Sequence, residues 1–315
     1  MQYSVRNLIA SFVAYGFIIS GLLKKRVAKL LHQEVILSLY THNPNKRYFE
    51  KCILWLQKKG FRFISMNDLL KISSGDMPFP CGAVIITVDD GWKENKQNVI
   101  AISRKYNIPI TIFVATDPVL TGNPYWWSSI EKANHLGLID HTVADLKKMS
   151  NDQRLKIVKD MQSLIKQNRE AFTEEELLKV SKNKLVTIGS HTVNHPILTN
   201  CTDAQSLVEI SDSKNILSNL LEKEIVTFSY PNGDFTDREI NYLRLAGYKL
   251  GFTTINNYIT PENIHDPFTL PRTDLIETIS FAENVCRITG VWFVQKRQFK
   301  KSINKQKSDN KLFHG

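Results

Sequence analysis

Six short β-branched or aromatic runs recur along the chain with helix-compatible stretches between them, and this alternation limits the possible folds more than any other feature. The runs are VILSLY (35–40), AVIITV (83–88), PITIFV (109–114), LVTIG (185–189), IVTFS (225–229) and KLGFTT (249–254). Segments 47–59, 94–106, 151–167, 203–222 and 236–246 carry helical periodicity and few breakers. Such alternation lays the strands parallel and covers them with helices, so an α/β fold is expected. A doubly wound sheet and a barrel both satisfy the pattern, and either places its site at the C-terminal ends of the strands. The polar clusters of this sequence follow its strand runs directly. The longest interval between runs, 118–184, is expected to form a helical insertion on that same face.

The run AVIITV continues into TVDDG (87–91), which puts two carboxylates and a glycine where a buried strand surfaces. Asp-Gly turns are ordinary connections, so the pair gains meaning only from a second segment, SHTVNHP (190–196). There His191 and His195 stand four residues apart. On a helical turn that spacing projects both imidazoles to one side, where they could share a metal ion at about 2.0–2.1 Å for zinc. A carboxylate from another strand end, with Asp89 and Asp90 as donors, would complete a three-ligand site with a position left for water. That is the arrangement of a catalytic rather than a structural zinc.

These two segments resemble the first two motifs of the polysaccharide deacetylases, the NodB-like carbohydrate esterase family 4. FSYPNGDF (228–235) resembles the third motif of the Phe-x-Tyr-Pro-x-Gly branch, and FTLPRTDL (268–275) that branch's later Leu-Pro-Arg segment. Residues 39–69 are similar, less sharply, to the family's opening strand, helix and second strand. The resemblance covers roughly residues 34–280, and four motifs in the right order are more specific than any one of them. It implies a single irregular (β/α) barrel with a divalent metal, zinc by preference, at the strand C-termini.

By the same resemblance Asp90 would join His191 and His195 as metal ligands, and Asp89 would be the base that takes a proton from a metal-bound water. The backbone N–H of Asn232, which replaces the family's usual tyrosine, would hold the oxyanion. Arg272 would orient the base, because the arginine of motif three found in much of the family is here Phe228, and Asp274 would hold Arg272 by an ion pair. Tyr230 reads either as a wall of the substrate pocket or as a strand-end aromatic packed inward. Trp126 and Trp127 would stack on a sugar face or pack the insertion. No leucine-rich motif with a C-terminal histidine is visible, which leaves His42 and His265 as candidates for the general acid. The implied activity is removal of N-acetyl groups from amino sugars of a polysaccharide or oligosaccharide. Deacylation of a lipid-linked sugar (a glycolipid substrate) and a non-catalytic glycan-binding role are the alternatives.

The formal net charge of +10 would suggest nucleic acid were it spread over the fold. Instead, residues 1–33 carry Arg6, Lys24, Lys25, Arg26 and Lys29 with no acid, and residues 290–315 carry seven basic residues against Asp309. The ends account for +5 and +6 and leave residues 34–289 at about −1. Basic ends on a near-neutral body suit an anionic membrane surface better than a nucleic-acid groove. The expected organisation is an apolar and basic N-terminal helix (1–33) able to act as a membrane anchor, a catalytic domain (34–290) and a basic, disordered tail (291–315). The apolar stretch from Leu8 to Leu23 is short for a membrane span, and the basic cluster after it would place the catalytic body on the cytoplasmic side. A cytoplasmic protein with this helix packed on the domain is the alternative. Cys52, Cys81, Cys201 and Cys286 form no C-x-x-C pair and suggest neither a disulfide framework nor a thiolate zinc site.

Overall fold

A computed structural model describes residues 5–292, so most of the basic tail lies outside the described residues. Eight parallel strands form one sheet: β1 (Ile36–Thr41), β2 (Arg62–Phe63), β3 (Ala83–Val88), β4 (Ile110–Val114), β5 (Val186–Ser190), β6 (Thr227–Ser229), β7 (Leu250–Phe252) and β8 (Thr273–Asp274). They are ordered β7-β6-β5-β4-β3-β1-β8, and β2 also pairs with β3. The longest pairing runs from Ile36 opposite Ala83 to Thr41 opposite Val88. The two shortest strands, β2 and β8, have too few residues to show a periodic signal in the sequence.

Between a doubly wound sheet and a barrel, the closure of the edges decides. Phe252 bridges Leu270, the Thr253 N–H donates to the Leu270 carbonyl at 2.9 Å, and the Leu270 N–H donates to Gly251 at 2.9 Å. The chain then runs from Leu270 into β8, which pairs with β1. The two ends of the sheet are thereby joined into an irregular, incompletely closed (β/α) barrel.

Strand periodicity sorts the side chains into two layers. Leu37, Leu39, Val84, Ile86, Val88, Ile110, Ile112 and Val114 pack together with the helices. Ile36, Ala83, Ile85, Phe113, Leu250 and Phe252 form the other layer. Phe113 and Phe252 meet at 5.4 Å between ring centroids although β5 and β6 separate their strands, so this layer is the barrel interior. Close approach across the interior needs a residue without a side chain at Gly189, where a Cβ would lie 2.5 Å from the Phe113 ring. Along β3 the same period takes the inward row from Ala83 through Ile85 and Thr87 to residue 89, directly after the strand's end.

The expected insertion is helical: Thr116–Thr121, Trp126–His135, Val143–Leu146, Asn151–Leu164 and Glu174–Ser181 lie between β4 and β5. At the N-terminus the expected single apolar helix is two helices, Val5–Ile19 and Leu22–Leu31, bent by 69°. The break falls at Ser20–Gly21, where Gly21 has φ 77°, a left-handed conformation that a glycine adopts without penalty. No single described helix is long and apolar enough to cross a membrane. The first helix packs on Phe281–Ile288, with Arg6 paired to Glu283 at 2.8 Å and Phe17 edge-on to Trp292.

Candidate active site

Two adjacent aspartates serve different neighbours because the backbone turns between them. Asp89 continues the inward row of β3, and its N–H still pairs with Thr41 at 2.9 Å. Asp90 has φ 76° and Gly91 φ 88°, so the chain leaves the sheet through two left-handed residues in succession. Left-handed backbone is uncommon outside glycine, but aspartate is among the residues that tolerate it best. The turn is fixed by the Asp90 carbonyl, which accepts from Tyr125 Oη at 3.0 Å and from the Ala115 N–H at 3.2 Å.

Inside the barrel the Asp89 carboxylate meets Arg272. Nη1 donates to Oδ1 at 2.7 Å and Nη2 to Oδ2 at 2.8 Å. The remaining guanidinium N–H groups go to Thr253 O at 2.9 Å, Thr87 Oγ1 at 3.0 Å and Ser229 Oγ at 2.8 Å. All five donors are therefore engaged on a fully buried arginine, which a buried cation requires if its desolvation is to be offset. The guanidinium also lies 4.5 Å from the centroid of the Tyr40 ring. Burial alone would raise the Asp89 pKa, but the charge and hydrogen bonds of Arg272 outweigh it and hold the carboxyl down to about 2. Asp274 does not pair with Arg272 as the resemblance implied, because Asp89 occupies the guanidinium fork. Burial pushes the Asp274 carboxyl up.

On the other side of the turn, Asp90 faces the two histidines. His191 and His195 each bring Nε2 to 3.5 Å from Asp90 Oδ1. The histidine pair does not sit on a helical turn. Thr192 (φ 69°) and His195 (φ 50°) are left-handed, and they bend the segment after β5 into a loop that brings the imidazoles together by another route. Thr192 Oγ1 accepts from the His195 N–H at 3.0 Å, and Glu209 accepts from the N–H groups of Val193 and Asn194, each at 2.8 Å. His191 Nδ1 lies 2.7 Å from the Ser229 carbonyl, which fixes its proton there and leaves Nε2 with a free lone pair. Burial depresses the pKa of both imidazoles, that of His195 strongly, so both are neutral at pH 7.

Asp90, His191 and His195 form a fitting cation site. Their ligand atoms all lie within 4.8 Å of one another, and Asp90 Oδ1 is buried with no hydrogen-bond partner among the described residues. Ligands on a tetrahedral zinc at about 2.0–2.1 Å are separated by about 3.3 Å, close to the spacing found between Asp90 and either histidine. The other oxygen of Asp90 is oriented by Trp92 Nε1 at 2.9 Å. An outer partner of this kind is what sequence reading missed, since nothing in a lone tryptophan announces it.

The triad forms the floor of a cavity of about 400 Å³ lined by Tyr40, His42, Asp89, Trp127, Lys147 and Asn232, among others. Asn232 sits in the turn Pro231–Gly233 at φ 59°, and its backbone N–H has no acceptor among the described residues. Its side-chain Oδ1 accepts from Lys147 Nζ of the insertion at 2.8 Å. Gly233 cannot carry a side chain, as a Cβ there would lie 2.1 Å from Thr254 Oγ1. Tyr230 does not reach the cavity. It is fully buried against Phe228 and Phe235, so the reading as a pocket wall gives way to inward packing. Trp126 lines the cavity but is almost wholly buried, and its Nε1 donates to the His195 carbonyl at 3.0 Å. Half-buried Trp127 is stacked on Tyr125, lies 4.6 Å from the His195 ring and offers the larger face to the cavity. His265 is exposed and lines no part of the cavity, whereas His42 is on its wall.

The sequence pattern of one family, described as polysaccharide deacetylase, matches residues 76–251, which include the aspartate pair, both histidines and the Asn232 turn. This chain belongs to the polysaccharide deacetylase family. The chain is 24% identical to the poly-beta-1,6-N-acetyl-D-glucosamine N-deacetylase of Staphylococcus aureus (strain N315) over 249 residues, 79% of this chain and 73% of that one. It is 23% identical to YxkH of Bacillus subtilis (strain 168) over 209 residues, 66% of this chain, and the match spans only 58% of that relative's length. Among solved structures, IcaB from Ammonifex degensii has a TM-score of 0.60 at 17% identity, covering 81% of this chain and 97% of that one. The Streptococcus pyogenes deacetylase PplD has a TM-score of 0.58 at 19% identity over 81% and 98%. At such identities these two structures speak for the fold.

Proposed function

We propose that this polysaccharide deacetylase family member is a metal-dependent hydrolase that removes acetyl groups from the N-acetylated amino sugars of a polysaccharide or oligosaccharide. The observation that carries the reading is the division of labour between Asp89 and Asp90: one carboxylate is gripped by a buried arginine, and the other is left open beside two neutral imidazoles. The Staphylococcus aureus relative, a deacetylase of poly-beta-1,6-N-acetyl-D-glucosamine, supports the substrate class.

Asp90, His191 and His195 would hold a divalent cation, which would supply Lewis acidity when bound; zinc suits two imidazoles and one carboxylate, as do cobalt, nickel and iron. Asp89 accepts the proton of the attacking water. With a pKa near 2 it is ionised throughout the physiological range and is a weak base by itself. The Asn232 N–H donates to the oxygen on which negative charge develops. His42, at the cavity wall, returns a proton to the departing amine, which an amide nitrogen needs before it can leave. Trp127 offers a flat apolar face to the sugar ring. The products are acetate and a free amino sugar.

The test is acetate release from N-acetylglucosamine oligomers, with lipid-linked oligosaccharide as a parallel substrate, by wild type, Asp89→Asn and His191→Ala. Each protein is stripped with a chelator and reloaded with a single divalent metal. Release that needs both metal and Asp89 supports the reading. Wild type that binds metal stoichiometrically yet releases nothing from either substrate would sink it.

A further inference from the structure

The helix Val5–Ile19 presents the wrong face to solvent for a water-soluble surface. Ala10 and Ala14, the small residues, face the protein and are buried, while Val5, Leu8, Ile9, Phe12 and Ile19 face outward. Phe12 is 76% exposed, Val5 74% and Ile19 85%. Positions 5, 8, 9, 12 and 19 fall on one side of a helix with 3.6 residues per turn, flanked by half-exposed Val13 and Tyr15. A contiguous apolar stripe of this kind marks an interaction surface, whereas scattered exposed hydrophobics need no explanation.

The helix is fixed in place. Arg6 is paired with Glu283, and beyond the bend Arg26 donates to Thr289 O at 2.9 Å and lies over the Tyr258 ring. Two of the five cations of residues 5–31 thus tie the N-terminal helices to the domain. The other three, Lys24, Lys25 and Lys29, are exposed on the helix Leu22–Leu31, whose Leu23, Val27 and Leu30 are buried. No acidic residue lies between residues 5 and 33 to neutralise them. An apolar stripe followed within a few residues by unpaired lysines is the pattern of a helix lying in the headgroup layer of an anionic bilayer. The pair is bent by 69°, and neither helix by itself is long and apolar enough to cross a membrane.

We propose that residues 5–31 seat this protein on the surface of an anionic lipid bilayer, with the Val5, Leu8, Ile9, Phe12 and Ile19 stripe inserted among the headgroups and Lys24, Lys25 and Lys29 on the lipid phosphates. The proposal is independent of the catalytic reading, since none of these residues touches the cavity.

The experiment is co-sedimentation of the full chain with phosphatidylcholine vesicles containing or lacking phosphatidylglycerol. Three proteins are compared: wild type, the double variant Ile9→Asp with Phe12→Asp, and the triple variant Lys24→Gln with Lys25→Gln and Lys29→Gln. Wild type is expected to bind the phosphatidylglycerol vesicles at least tenfold more tightly than the double variant. Each lysine removed should weaken binding about fivefold on those vesicles alone, an effect that added salt mimics. The substituted side chains are solvent-exposed, so unchanged melting curves are expected. Should the double variant melt early, Ile19→Asp gives the same comparison from the other end of the stripe. Binding by the apolar variants equal to wild type would overturn the proposal. So would a concentration-dependent dimer, dissolved by the same substitutions, in a protein that ignores vesicles, because the stripe would then face a second copy of this chain.

Discussion

Arg272 holds both carboxylate oxygens of Asp89, at 2.7 and 2.8 Å, across 183 residues of chain. The pair is buried on both sides. It sets the protonation state of one aspartate while the other stays open for a cation.

Removing the arginine strands a buried charge. Arg272→Met is expected to cost about 3–5 kcal/mol of stability, the usual penalty for breaking a buried ion pair, and Arg272→Lys less, because the charge survives without the fork. Thermal or denaturant unfolding of the three proteins measures this. The sign of the pH effect follows from Asp89, whose folded pKa of about 2 lies below its ordinary value of 3.8. Its contribution is fully present above about pH 4, is lost as the pH falls through about 2, and is on the order of 2 kcal/mol. Without Arg272 the largest influence opposing burial is gone, the Asp89 pKa rises, and the acidic limb of the acetate-release profile should move to higher pH.

Metal affinity should depend on a residue that is not a ligand. Trp92→Phe removes the hydrogen bond to Asp90 Oδ2 and should weaken metal binding about 10-fold to 100-fold with the fold intact. His195→Ala, which removes a ligand, should lose more. Titration calorimetry of chelator-stripped protein reads both. Since burial depresses both imidazoles, proton competition for the ions should begin only below the ordinary histidine range.

His42 can be separated from the metal site. His42→Gln is expected to lower kcat about 10²–10⁴-fold while leaving metal content unchanged. An activity equal to wild type would remove His42 from the mechanism. The parallel variant His265→Gln, at an exposed site away from the cavity, should behave as wild type.

One thiol in four should react in the native state. Cys52, Cys201 and Cys286 are buried, and burial pushes their thiols up to about 12, 12 and 11. Only Cys81 is exposed, so a disulfide reagent should titrate one equivalent before denaturant is added and four after it.

The sequence by itself determined the parallel α/β class, the six longer strands and the two motifs that supply Asp90, His191 and His195, the group able to hold a cation. Each of these is a local property: strand runs show as short, continuous apolar and β-branched segments, and the candidate ligands follow strand ends. The short strands β2 and β8 carry no such signal, and the tertiary structure alone decided that the sheet closes into a barrel, because closure depends on Leu270 meeting Phe252 rather than on any residue type. It also decided which neighbours each aspartate meets. Asp89 and Asp90 are chemically identical, and only the left-handed turn at Asp90 and the distant Arg272 tell them apart. Lys147 on Asn232 was illegible for the same reason, as it joins separate parts of the chain through space. Tyr230 shows the converse, since a strand-end tyrosine reads equally as wall or core until packing against Phe228 and Phe235 settles where its ring goes.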